Sequence, residues 1–300
     1  MATTANTVRH RGSRRRRRWD VLSYAGLTLW VLFVLFPLYW ISTMSLKHEI
    51  DIFAQPPRLF SFEPSLDNYL SVLNLARSGQ SANTGAASSD FPAYFAHSII
   101  IVGSSLAVTI VLGTLAAYAL ARYRFAGREV LALMVIIIRI IPILAIIMPL
   151  YIVYHNWNLY NTYAGLILVY QLIGLPFYIW LMRSHIAAIP AELEDAARVD
   201  GCSLVRILWN IVLPLVAPGM VASGILVFIY MWNNFLFALL LGGNEVQPVT
   251  VGILNYMGYD QIQYGRMAAA SVICITPEII LGMCIQRYIT RDLASGATKG

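Results

Sequence analysis

Apolar residues gather in six long runs, at about 21–41, 98–120, 130–152, 162–182, 215–239 and 267–285. Each supplies roughly the 20 residues that a helix needs to cross the hydrocarbon of a bilayer. Backbone polar groups find no water there, so each run must close its own hydrogen bonds as a helix. The pattern predicts an all-α, polytopic membrane protein with six transmembrane helices. Pro142, Pro149, Pro176, Pro218 and Pro277 fall in or beside these runs and are expected to kink them.

The polar intervals divide the chain into a basic tail at 1–20, a permeation-sized helical domain at 21–287 and a short tail at 288–300. Within the domain, 42–95 and 242–266 form loops on one side and 183–213 a loop on the other. Residues 78–90 are rich in Gly, Ser, Ala and Asn and read as a flexible loop. The 183–213 loop is the most patterned. It contains Glu194-Asp195-Ala196-Ala197-Arg198-Val199-Asp200-Gly201, then Ile211-Val212-Leu213-Pro214. Pro190 suits a first helical turn, and Glu192, Glu194 and Asp195 complement its positive end. Asp200-Gly201 is a turn signal. A second short helix is expected from about Ser203 until Pro214 interrupts it. Two short helices at a membrane surface form a docking shape: they cannot cross the bilayer and carry no catalytic cluster.

Charge sets the orientation. Sixteen of the 21 Lys and Arg residues lie in the N-terminal tail, the second-to-third loop, the 183–213 loop and the C-terminal end from Arg287 onward; Lys47, Arg58, Arg77 and Arg266 lie opposite, and Arg139 falls inside a run. Positive residues concentrate on the cytoplasmic side, so both termini and the 183–213 loop are expected there. The run Arg14–Arg18 resembles a nucleic-acid patch, but before a first membrane helix it fixes topology and touches anionic lipid. Pro37-Leu38-Tyr39-Trp40, rather than a small-residue cleavage site, follows the first apolar run, which favours a retained helix over a signal peptide.

The composition, 58% hydrophobic and 12% charged with mean hydropathy +0.66, agrees with a membrane protein. Three cysteines offer no disulfide framework. Neither Lys47 nor Lys299 completes a phosphate-binding G-x-x-x-x-G-K-[ST] loop, and no metal motif or nucleophile–base pair stands out, so catalytic and metal sites are not expected. Two charges lie within runs at similar depth, Arg139 and Glu278. They either pair and brace two helices, or Arg139 faces a pathway and binds an acidic or polar substrate group. Trp232 with Asn233 and Asn234 is a candidate for lining a pathway, the ring to stack on a flat face of a substrate and the amides to bind its polar groups. Interhelical hydrogen bonding is the alternative for the amides and for Gln171.

The motif D-A-A-x3-G-x9-I-x-L-P resembles the cytoplasmic loop of membrane subunits of ABC importers. In that family a Glu usually stands where this chain has Asp195, and the charge is kept. Ala116-Ala117-Tyr118-Ala119-Leu120-Ala121-Arg122, Trp232-Asn233, Pro248-Val249-Thr250-Val251-Gly252 and the ending Ala294-Ser295-Gly296-Ala297-Thr298-Lys299-Gly300 resemble maltose-type carbohydrate permeases. The likeness covers about residues 21–300. It implies a permease in the cytoplasmic (inner) membrane of a prokaryote, pairing with a second homologous permease subunit. Two copies of an ATP-binding subunit would bind ATP and Mg2+, and an extracytoplasmic solute-binding protein would deliver a sugar. Transport would proceed by alternating access. Glu194, Asp195, Ala196, Ala197, Asp200 and Gly201 would form the ATPase-coupling surface. Tyr256, Tyr259 and Tyr264 in the 242–266 loop would contact the binding protein, or serve as interfacial aromatics. The rival from another class is a stand-alone secondary transporter or channel, with Glu278 as the coupling acid.

Overall fold

Small residues in the apolar runs decide which helices approach closely. A Cβ on Gly113 would lie 2.6 Å from the Tyr178 ring, and one on Gly174 would run into the Met231 methyl. Glycine therefore lets three helices close on one another, as is common where lipid offers no hydrophobic drive for association. These are α4 (Phe91–Arg122), α7 (Tyr163–Ala187) and α10 (Leu213–Trp232). The α4–α7 contact is the most extensive in the molecule. Its core holds Tyr118, Leu166, Tyr170, Tyr178, Met182 and Met231, all buried. One polar group inside ties two helices: Thr109 donates to Gln171 Oε1 at 2.7 Å, and Gln171 Nε2 donates to Ser105 O at 3.1 Å. Gln171 is therefore an interhelical clasp.

The computed structural model describes residues 8–75, 90–258 and 262–297, with side chains over 19–75, 90–258 and 262–285. Among the described residues it contains helices and one isolated bridge, Met257–Ile262, and no strand. α1 (Val8–Ser45) packs beside α13 (Tyr264–Ala297) and presents its apolar side chains from Trp19 to Phe36 outward. Two short helices, α2 (Glu49–Ile52) and α3 (Asp67–Val72), fold over the same end of that pair. There Lys47 is buried, donating to Arg58 O at 2.6 Å with the Phe62 ring 4.7 Å away. Most of the flexible loop expected at 78–90 lies outside the described residues, as do Arg77 and the side chains of the basic tail.

One of the six expected spans is broken, and another ends earlier than expected. The third is α5 (Arg128–Ile137) with a 3-10 turn (Ile138–Ile140), then α6 (Ile143–Asn156), bent by 92° between them. Ile141 (ψ 123°) and Pro142 (ψ 129°) are both extended. Proline has no N–H to give and disfavours helical geometry in the residue before it, so the run breaks instead of kinking. The fifth span ends with α10 at Trp232; after Asn233–Phe235 the chain resumes as α11 (Leu236–Leu241). Five helices are long and apolar enough to span, and the bent pair makes six if counted as one. The interruption expected at Pro214 is absent: after α9 (Leu204–Ile207) a π-helical turn (Leu208–Val212) leads straight into α10. The proline falls in the first turn of α10, and the widened turn before it accommodates its ring.

Candidate functional site

The 183–213 loop folds as two short helices, as its pattern predicts. α8 (Glu192–Val199) begins just after Pro190 and ends where Gly201 takes φ +79°. Cys202 N donates to Ala197 O at 2.9 Å and Gly201 N to Arg198 O at 3.0 Å, a left-handed cap of the kind glycine favours. α9 follows, with Ser203 Oγ accepting from Arg206 N at 3.4 Å.

The acidic residues of α8 divide sharply. Glu194 is 1% exposed. Tyr118 Oη donates to its Oε2 at 2.7 Å and Arg122 Nε to its Oε1 at 2.5 Å. Arg122 Nη2 also donates to Ile189 O at 3.0 Å. Glu194 is thus an anchor tying α8 to the end of α4, and it does not belong to an exposed coupling surface. Ala197, buried beside it, is also removed from that surface. The reason is helical period: 194 and 197 share the face turned to the bundle. Asp195, Ala196, Asp200 and Gly201 are exposed as expected, and Arg198 Nη1 donates to Asp195 Oδ1 at 2.6 Å. The outward face is also apolar: Val199 is 89% exposed, with Val205 and Trp209 nearby in the chain and exposed too. Sequence reading missed these three, although a valine next to an Asp-Gly turn in a polar loop is a usable signal. Nearby, Arg183 and Arg128 both donate to Glu129 at 2.7 Å, joining the end of α7 to the start of α5 at this end of the bundle.

The residues proposed to line a pathway separate into two groups. Trp232 is 3% exposed, donates Nε1 to Cys274 O at 3.1 Å and stacks on Phe228, so it is a core residue and no platform for substrate. Its ring turns inward because it lies on the α10 face that meets α13. Asn233 and Asn234 do line a cavity of about 290 Å³ with Ile143, Tyr230, Phe235 and Leu236. Asn234 Oδ1 accepts from Phe237 N at 3.2 Å and starts α11. Asn233 Nδ2 donates to Ile229 O at 2.9 Å and Glu278 Oε1 at 2.5 Å.

That last bond answers the question of the two charges within the spans. Glu278 meets Asn233, and the guanidinium of Arg139 lies 4.3 Å from the Phe177 ring centroid and 4.7 Å from that of Tyr230. The Arg139–Glu278 ion pair does not form, because each charge finds its nearest partner separately, on α7 and α10 for one and on α10 for the other.

The 242–266 loop is fastened to the N-terminal end of α4. Val249 N donates to Ser98 Oγ at 2.8 Å, Gln247 N to His97 Nδ1 at 3.2 Å, and Asn255 Nδ2 to Tyr94 Oη at 3.0 Å. It contains α12 (Val249–Gly252) and a 3-10 turn (Ile253–Tyr256). Tyr256 is 8% exposed, which removes it from any protein-contacting surface. Tyr264 is half-buried with its ring 5.5 Å from that of Phe53. Tyr259 lies outside the described residues. Cys202, Cys274 and Cys284 are free thiols.

Comparison with known proteins agrees with this architecture. Residues 109–295 match the family described as binding-protein-dependent transport system inner membrane component. The chain is 32% identical over 282 residues to the trehalose/maltose transport system permease protein MalG of Thermococcus litoralis, covering 93% of this chain and 97% of that one. It is 32% identical over 292 residues to the trehalose transport system permease protein SugB of Mycobacterium tuberculosis, covering 96% and 100%. The fold is similar, with TM-score 0.74 at 24% identity, to a chain in the crystal structure of a bacterial ABC transporter involved in the import of the acidic polysaccharide alginate; the match covers 92% of this chain and 98% of that one. The family match spans more than half of the chain and both curated relatives align along nearly all of it, so this chain belongs to the binding-protein-dependent inner-membrane permeases of the sugar ABC-transporter kind.

Proposed function

We propose that this chain is the membrane permease subunit of an ATP-driven importer that moves a saccharide into the cell by alternating access. The observation that carries the reading is the α8–Gly201–α9 loop. Its inner face is locked to α4 through Glu194, and its outer face presents Asp195, Ala196, Val199, Asp200 and Val205, all exposed among the described residues. An exposed apolar strip rimmed by acids, held rigidly on a membrane helix, suits a lever gripped by another protein. In this reading two ATPase subunits, which bind ATP and Mg2+, grip the loop of this chain and of a second, homologous permease. Closing the ATPases draws the loops together. The Tyr118–Arg122–Glu194 cluster carries that movement into α4, and through the close α4–α7–α10 packing to the cavity at Asn233 and Asn234. An extracytoplasmic solute-binding protein delivers the substrate, and both termini and the loop face the cytoplasm.

The test is purification of the complex through a tag on this chain, with ATP hydrolysis and saccharide uptake measured with and without Asp195→Lys. Co-purification of an ATPase whose hydrolysis no longer drives uptake in the variant is the expected result. Purification of this chain alone, with transport that ignores ATP but follows an ion gradient, would sink the reading and make Glu278 the first residue to study.

A further inference from the structure

The guanidinium of Arg139 has no ion-pair or hydrogen-bond partner among the described residues. It is packed only against the faces of Phe177 and Tyr230. This is an unusual state for a permanent charge in a membrane span. Rings stabilise a cation over their faces, but they satisfy none of its five N–H donors. Ionisable groups within spans face a bundle interior or a wet cavity and mark substrate routes. Arg139 does not itself line the 290 Å³ cavity; it touches Tyr230, which is 43% exposed and does line it, so its charge stands one side chain away from that space.

The cavity lies where the broken span meets the end of α10. Ile143 opens α6 just after the Ile141-Pro142 break, and Asn233, Asn234 and Phe235 form the break after α10. Discontinuous helices at one point are a recurring way to build a transport site, because the interrupted backbone then lines a cavity instead of lipid. The polar groups there are distinct in role. Asn233 turns its amide nitrogen to Glu278 and Ile229, leaving its amide oxygen as an acceptor. Asn234 uses its side-chain oxygen on Phe237 N, leaving its amide nitrogen as a donor. Acceptor, donor and a tyrosine face suit a saccharide ring with its hydroxyls. The carboxylate of Glu278 approaches Asn233 and is held by that amide, whereas the positive charge of Arg139, set against the Tyr230 ring beside the cavity, has donors left over and favours an anion nearby.

We propose that Arg139 is a specificity-determining residue of the translocation pathway, and that the transported saccharide carries an anionic group, a carboxylate in the first instance. The proposal rests on the importer reading above. The assembled importer, with its partner permease, ATPase and binding protein, is reconstituted in vesicles of neutral phosphatidylcholine. Uptake is measured for a panel of di- and trisaccharides, each offered as the uronic acid and as the neutral sugar made by reducing its carboxyl group. The wild type is expected to favour the acid members at least tenfold in kcat/KM. Arg139→Gln should abolish that preference by slowing the acids alone, and Arg139→Lys should keep part of it. A merely structural arginine would slow acid and neutral members together, which overturns the proposal. Uptake of neutral members at equal or better rate by the wild type also overturns it, whether or not Arg139→Gln assembles, and leaves the importer reading standing. ATP-independent behaviour, or uptake of no saccharide at all, removes the importer reading and this proposal with it.

Discussion

Single side chains in the loop have opposite duties although they are neighbours in sequence. Glu194 is buried against Arg122 and Tyr118, and Asp195 is exposed with only Arg198 beside it. Removing one partner of a buried pair strands the other charge, at a cost of about 3–5 kcal/mol. Glu194→Ala is therefore expected to lower the unfolding midpoint of the purified chain markedly. Asp195→Ala, which touches only a surface pair worth about 0–1 kcal/mol, should leave the midpoint nearly unchanged while weakening association with the ATPase. Thermal unfolding in detergent checks both, and equal midpoints for the two variants would contradict the division. Trp232 teaches a similar lesson. An aromatic next to two asparagines reads as a sugar platform from sequence, but its ring fills the α10–α13 contact and its N–H is used by Cys274 O.

At the scale of elements, the spans were largely legible because length and apolarity alone decide what crosses a bilayer, and the positions of α4, α7 and α13 follow. The breaks at Ile141-Pro142 and after Trp232 were not. Nothing local separates the break at Pro142 from the unbroken helices at Pro149, Pro176, Pro218 and Pro277, since the outcome depends on neighbouring helices that accept the freed backbone groups. The α8 turn was legible, because Gly201 at φ +79° is a conformation that costs a side chain roughly 1 kcal/mol. Gly201→Ala is expected to destabilise the loop by about that amount, seen as faster amide exchange over α8; open space around that Cβ rules out a steric contribution. Unchanged exchange would mean that the cap does not hold the helix. The inward face of α8 was the part of the candidate site that the motif concealed, because a motif gives identity without saying which way each residue turns.

For the whole molecule, the two ends of the bundle carry different chemistry. Arg122, Arg128, Arg183 and the α8–α9 loop gather at one end, and Lys47, Arg58, Arg266 and the 242–266 loop at the other. Cys202 reports on the α8–α9 end once the exposed Cys284 is replaced by Ser, because Cys274 is buried, and the charge distribution predicts that end to be cytoplasmic. A membrane-impermeant maleimide is expected to label Cys202 in inverted vesicles and not in intact cells. Labelling in intact cells instead would reverse the orientation.

The pairing of α1 with α13 also bears on how the protein is made. Of the helices described, α1 is synthesised before the others, and its main helical neighbour, α13, after them. Everything between them, including the tightly packed trio, is synthesised while α1 waits in lipid with its apolar sides uncovered. Assembly therefore closes a ring in time as well as in space. The final helix acts as the latch, so nascent chains stopped before residue 264 should hold a compact centre and an unattached α1. Cross-linking between cysteines placed on α1 and on α4 or α7 in such stalled chains would expose any other order of events.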